Sequence, residues 1–174
     1  EVMVVRDVIL AESVDARIHI AHISTKGSVE IIRQAKKRGV KVTCETCPHY
    51  FAADDRMILD YNSNAKVNPP LRSREDVEAI IEGIKDGTID AIATDHAPHH
   101  EDDKNVEFCK AANGISGFET AFALSYTHLV KAGYIPLKRL AELMRFAPAG
   151  ILGLEAGGVA EGKRADIALV DLNK

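Results

Sequence analysis

No apolar run in these 174 residues approaches the roughly 20 positions that a membrane-spanning helix requires, and no signal-peptide pattern opens the chain. Cysteine is scarce. Three residues, an odd number, argue against a disulfide framework and fit a reducing cytoplasm. There is no basic stripe: 22 Lys and Arg stand against 26 Asp and Glu, a net charge of -4, which argues against nucleic acid as a partner. Tryptophan is absent, which excludes nothing. Exact internal repeats and low-complexity stretches are missing too, so no repeat architecture is indicated.

What is present is ordinary globular material. The chain is 46% hydrophobic and 28% charged, and long enough for one domain with a real core. It begins at Glu1 and runs straight into Val2, Val5, Val8 and Ile9, a stripe at helical spacing. The expectation is a piece cut from a longer polypeptide.

Four short apolar runs organise the sequence, each ending in polar or metal-type side chains: 17–22, 41–49, 65–68 and 89–99. Helical patterns separate them. One spans 2–13. A second begins near Lys26 and ends in Lys36, Lys37 and Arg38, with Gly39 as a left-handed cap. A third opens at Ser73 with Asp76 as a capping box, buries Val77, Ile80, Ile81 and Ile84, and closes at Gly87. A helical turn is expected around Met57. Two prolines, Pro69 and Pro70, end the third run. A polar loop spans 99–116. Beyond it come a helix anchored by Phe118, Phe122 and Leu129, and another starting at Pro136 with Leu137, Leu140 and Met144 inward. The tail from Gly157 is turn-rich, and Ala165–Asp171 reads as a strand.

Strand, polar tip and helix in alternation is the rhythm of a parallel α/β barrel, whose chemistry gathers at the C-terminal strand ends. The expected fold is α/β: the C-terminal half of a TIM (β/α)8 barrel over 1–148, with about four parallel strands, and the start of a small β-sandwich appendage over 149–174.

His22 and His49 each sit where a strand runs out, and Asp95 follows the fourth run. Two imidazoles and a carboxylate suit zinc with room for water, whose pKa then falls towards 7. Asp95 can serve as general base and then general acid. His99, beyond Pro98, would face substrate. His96 and His100 have a weaker claim, against a supporting or solvent-exposed role. His19 reads as packing or support. Cys44 and Cys47 are set aside as a zinc knuckle, because positions i and i+3 of a strand face opposite ways and no second cysteine pair exists.

Seven stretches in order, including Cys44-Glu-Thr-Cys-Pro-His49, Asn68-Pro-Pro-Leu-Arg72, Thr94-Asp-His-Ala-Pro-His99 and Gly114-Ile-Ser-Gly-Phe-Glu-Thr120, resemble the dihydroorotases of the amidohydrolase superfamily. The resemblance spans nearly the whole chain. It implies that His22 and His49 hold the more exposed of two zinc ions and that Asp95 binds the other and shuttles the proton. It also implies that Asn68, His99 and backbone groups near Asn113 and Gly114 bind substrate. The implied reaction is the reversible interconversion of N-carbamoyl-L-aspartate and L-dihydroorotate in pyrimidine synthesis. The implied partners are a small-molecule substrate, and a second copy or other enzymes of that pathway, in the cytoplasm; neither nucleic acid nor membrane is expected.

The family's His-x-His pair, the arginine after it and the bridging lysine or aspartate are not in this sequence, so the chain is expected to carry half of a site and to be inactive alone. Alternatives are another cyclic amidohydrolase (hydantoinase, dihydropyrimidinase or allantoinase), a non-catalytic scaffold of the same fold, and a redox or zinc-ribbon module built on Cys44 and Cys47.

Overall fold

The computed structural model describes residues 1–155 and 158–172. Gly157, at the head of the turn-rich tail, lies outside the described residues. The elements that bear on the site are α1 (Val2–Ser13), β1 (Ile18–Ile20), α2 (Lys26–Lys37), β2 (Val42–Thr46), the short α3 (His49–Ala52), α4 (Arg74–Lys85) and β3 (Ala91–Ile92). A second group, α5 (Glu101–Lys104), α6 (Ala121–Ser125), α7 (Leu137–Ala141) and α8 (Ala147–Leu152), follows them.

The three strands form one parallel sheet in the order β1-β2-β3. Register follows the alternation of side chains. Ile18 lies beside Val42, His19 beside Thr43, and Ile20 beside Cys44. Val42, Cys44 and Thr46 are buried against the helices, while Thr43 and Glu45 face the other way and are only half-buried. One face of the sheet is therefore a packed core and the other a polar surface.

The helices form where their caps lie. Thr25 Oγ1 accepts from Ser28 N at the start of α2, and Ser73 Oγ accepts from Asp76 N at the start of α4. Asp76 also accepts from Lys26 N at 2.8 Å, so one carboxylate serves the first turns of both helices. Gly39 and Gly87 take the left-handed caps that the sequence marks for them. Between the helices and the sheet, Val29, Ile32 and Ala35 of α2 meet Ile80 and Ile84 of α4 in one buried cluster that continues to Leu129, Leu140 and Leu143. Each fully buried Ile or Leu contributes about 1.5–3 kcal/mol. Gly83 permits the close crossing: a Cβ there would stand 3.0 Å from Val29 and 3.2 Å from Ile89. Below the sheet, Lys36 Nζ reaches both carboxylate oxygens of Asp90 at 2.7 Å, and Asp90 accepts from Cys44 N at 2.8 Å.

Several expectations are corrected. The run at 65–68 is not a sheet strand: a 3-10 turn at Ser63–Ala65 precedes it, and Lys66 O accepts instead from Gly114 N. Pro69 and Pro70 have no N–H to give a ladder, which keeps this stretch out of the sheet. Ala165–Asp171 forms no strand either; Leu169 is fully exposed, and no described strand lies alongside it to supply a ladder. In the late helices the turns widen to π type at Tyr126–Lys131 and Glu142–Phe146. Leu140 is buried and Met144 packs partly buried against the core as expected, with Leu143 fully buried beside it, while Leu137 is exposed. Phe118 is exposed too, and stacks on His96 rather than anchoring a helix.

Candidate metal centre and the cavities beside it

The strand tips converge through backbone pairing that continues past the strands. Ile23 N donates to Glu45 O, Thr46 Oγ1 donates to Ile23 O, and Ala93 N donates to Thr46 O. These bonds hold the residues after β1, β2 and β3 side by side. His22 lies two residues beyond β1, His49 opens α3, and Asp95 follows β3. His22 (φ 58°) and Asp95 (φ 46°) both have left-handed backbones, a conformation that non-glycine residues hold at a cost and that clusters at functional sites.

His22 Nε2 stands 3.6 Å from Asp95 Oδ1, and its Nδ1 lies 3.0 Å from Glu45 Oε1. Glu45 also takes His19 Nε2 at 3.3 Å. The hydrogen bond that His22 donates to Glu45 holds the ring above the ordinary imidazole pKa, against the opposing effect of burial. His49 behaves in the opposite way. Burial pushes its pKa down to about 4, so at neutral pH it is an uncharged imidazole with a lone pair to offer. Its Nε2 is buried and has no hydrogen-bond partner among the described residues. Such a group costs free energy unless something fills its place. The ligand-type atoms of Cys47, His49 and Asp95 all lie within 4.8 Å of one another. The His49 imidazole, the Asp95 carboxylate and the Cys47 sulfur at this spacing, with the His22 ring 3.6 Å from Asp95, fit a divalent cation.

Cys47 is the member that the sequence reading passed over. Its thiol, 3.3 Å from His22 Nδ1, is pushed well above its ordinary pKa by burial. Cys44, as expected for i and i+3, is elsewhere: its thiol donates to Thr88 O and is raised to about 12 by burial. Glu45 was missed as well. The alternation of β2 puts it on the polar face, but its two imidazole partners follow only from the β1–β2 register.

The other candidate residues line cavities around the 63–71 segment. His49 borders an apolar cavity of about 300 Å³ with Asn64, Val67, Leu71 and Ile115. His99 and Gly114 border a second, of about 270 Å³, that shares Asn64 and Ile115 with the first. Asn68 and Asn113 border a third, of about 360 Å³, that shares Val67 and Leu71 with the first. His99 Nε2 donates to Asn113 O at 2.9 Å. The structure thus brings His22, His49 and Asp95 together, and His99, Asn113 and Gly114 together. Asn68 joins Asn113 on the wall of the third cavity, which His99 does not line. Both backbone groups of Gly114 are engaged inside the fold, its N–H by Lys66 O and its carbonyl by Lys104. Asn64, on the wall of the first two cavities, had no sequence signal.

His96 and His100 accept hydrogen bonds from backbone N–H groups. His96 Nδ1 accepts from Gly117 N and Phe118 N, both at 3.1 Å. Gly117 is required there: a Cβ would come within 2.6 Å of Thr94 O. His100 caps α5, accepting from Asp102 N.

Residues 4–174 match the amidohydrolase family. The chain is 62% identical over 174 residues to a dihydroorotase of Acetivibrio thermocellus, and 60% identical over 174 residues to one of Ruminiclostridium cellulolyticum. Each match covers 100% of this chain and 41% of the relative, so the chain spans about two-fifths of their length. Among solved structures it is similar to the L-hydantoinase (dihydropyrimidinase) of Arthrobacter aurescens, with TM-score 0.81 and 33% identity over 86% of this chain and 34% of that one. A D-hydantoinase (dihydropyrimidinase) of a Thermus species gives TM-score 0.85 and 25% identity over 93% of this chain and 37% of that one.

Proposed function

This chain belongs to the amidohydrolase family, and from that membership we propose that it is part of a zinc-dependent dihydroorotase. The observation that carries the metal is His49, whose Nε2 is buried without a partner among the described residues and whose ring offers a ligand atom within 4.8 Å of one on Asp95. The choice of substrate is supported by the two relatives named dihydroorotase, which match the whole of this chain at 60% identity or more.

In this reading His22, His49 and Asp95 are the chain's share of a two-zinc site, and the other ligands come from elsewhere in the longer protein. Bound zinc supplies a Lewis acid for the amide carbonyl and acidifies water at neutral pH. The chain's own residues do the rest. Glu45 holds the His22 ring by its Nδ1 edge. His49, kept uncharged by burial, offers Nε2. Asp95 accepts the proton of the attacking water at a carboxylate oxygen and returns it to the departing amide nitrogen as the ring opens. In the reverse direction it takes the proton from that nitrogen as the ring closes. Asn68 and the backbone near Asn113 and Gly114 bind the ring, and His99 binds the substrate carboxylate.

The fold assigned with this function is the C-terminal half of a (β/α)8 barrel over 1–148, with the first part of a β appendage over 149–174. Two exposures support the half-barrel. The polar face of the sheet carries His19, Thr43 and Glu45 where a closed barrel has its interior. On α1, Val2, Met3, Ile9 and Leu10 are all more than half exposed, a face suited to a neighbouring helix. Among the described residues no helix is long and apolar enough to cross a membrane. A cytoplasmic location and assembly with a second copy or with other pyrimidine-pathway enzymes complete the proposal.

The solved structures named hydantoinase and dihydropyrimidinase favour a second reading, hydrolysis of another cyclic amide. One assay separates the two. The full-length protein, stripped by chelator and reloaded with zinc, is given dihydroorotate, hydantoin and allantoin in parallel. Zinc-restored turnover is expected with dihydroorotate, and Asp95→Asn is expected to lower kcat by about 10²–10⁴-fold. Turnover of hydantoin but not dihydroorotate would replace the first reading with the second.

A further inference from the structure

Two lysines form a cage whose acceptors, among the described residues, are all backbone carbonyls. Lys104 is 8% exposed. Its Nζ donates to Ala112 O at 2.9 Å, Gly114 O at 3.0 Å and Lys66 O at 3.4 Å. Lys66 Nζ donates to Ala111 O at 2.6 Å, Phe108 O at 2.8 Å and Cys109 O at 3.3 Å. Burial, with the charge of Lys66 nearby, lowers the Lys104 ammonium from its ordinary value. A buried cation without a counter-ion is costly, and it persists only where its donors are fully used.

The consequence falls on four consecutive peptide groups. The carbonyl of Ala111 goes to Lys66, that of Ala112 to Lys104, that of Asn113 to His99 Nε2, and that of Gly114 to Lys104. A carbonyl fixed in direction fixes the plane of its peptide, so the backbone from 111 to 114 has little freedom left. His99 is tied to this stretch through its own donor nitrogen, and it shares a cavity wall with Lys104 and Gly114.

We propose that Lys104 and Lys66 are positioning residues for substrate: by turning the carbonyls of residues 108, 109, 111, 112 and 114 inward they set where His99 and Asn113 stand on the cavity wall. The proposal rests on the substrate-binding role assigned to that wall under the proposed function. An ammonium suits the task because its three donors fan out towards three acceptors; a guanidinium is a planar fork and does not follow them.

The test uses the full-length zinc-loaded protein and the variants Lys104→Met, Lys104→Arg and Lys66→Met. For dihydroorotate, KM is expected to rise at least tenfold in Lys104→Met with kcat changed less than threefold. Lys104→Arg is expected to fail to restore KM. A lowered melting temperature or kcat with KM unchanged would reduce the lysines to structural supports and overturn the proposal. If Lys104→Met does not fold, Lys66→Met is read by the same criteria. Hydrogen–deuterium exchange over residues 105–115 needs no substrate and is measured in the same variants. Protection there is expected to fall at least tenfold, and unchanged protection overturns the proposal. Failure of the wild-type protein to act on dihydroorotate, with loop protection still lost in the variants, would instead sink the substrate assignment and leave the cage standing.

Discussion

His49 shows how one side chain can carry a stability cost and a function together. Its pKa of about 4 lies below the ordinary imidazole value of 6.5, because burial disfavours the charged ring. The unfolded chain therefore binds the proton more readily between these values. Stability from this group is complete above about pH 6.5 and is lost as pH falls towards 4, by about 3 kcal/mol in all. His22 has the opposite sign: with its pKa raised by Glu45, its contribution is present in acid and is lost as pH rises through the raised value. In metal-stripped protein, the urea midpoint is expected to fall steeply from pH 6.5 to 4, and His49→Gln is expected to flatten that slope. A slope untouched by the substitution would show that the acid sensitivity lies elsewhere. At this scale the sequence was informative where a polar residue ends an apolar run, as at His22, His49 and Asp95. It was silent where a role depends on register or on backbone carbonyls. Glu45 reaches His19 and His22 only because β1 and β2 pair as they do, and a lysine caged by carbonyls leaves no pattern to read.

The elements were most legible where a cap and a stripe agree. α1 lies where its apolar spacing puts it, α2 where its stripe and Gly39 put it, and α4 where Ser73, its stripe and Gly87 put it. The run at 65–68 is kept from the sheet by the prolines that follow it, and the run at 165–171 shows that β propensity says what suits a sheet, not whether a neighbouring strand is there to pair. Two substitutions test the helical layer. Asp76→Ala removes the acceptor for Lys26 N and the partner of Ser73 Oγ, and is expected to cost about 1–2 kcal/mol. Ile32→Ala opens a hole between α2, α4 and the sheet, and is expected to cost about 2–5 kcal/mol. Chemical denaturation of both variants checks the order; a smaller loss for Ile32→Ala than for Asp76→Ala would mean that the interface collapses to fill the space.

For the whole molecule, the proposed half-site has a direct consequence. Produced alone, the 174-residue chain is expected to show no zinc-dependent turnover of dihydroorotate, because His22, His49 and Asp95 leave each of two metals under-coordinated. Mixing or co-producing it with the remaining part of the protein is expected to restore activity; turnover by the chain alone would refute the division of ligands. The sheet itself has a further implication. Its spatial order β1-β2-β3 repeats the order of synthesis, every neighbour pair is parallel, and the connection between neighbours is helical. Each new strand leaving the ribosome finds its docking edge already made, and the buried cluster closes when Leu129, Leu140 and Leu143 arrive. Such a layer can zip up during translation, one strand-and-helix step at a time.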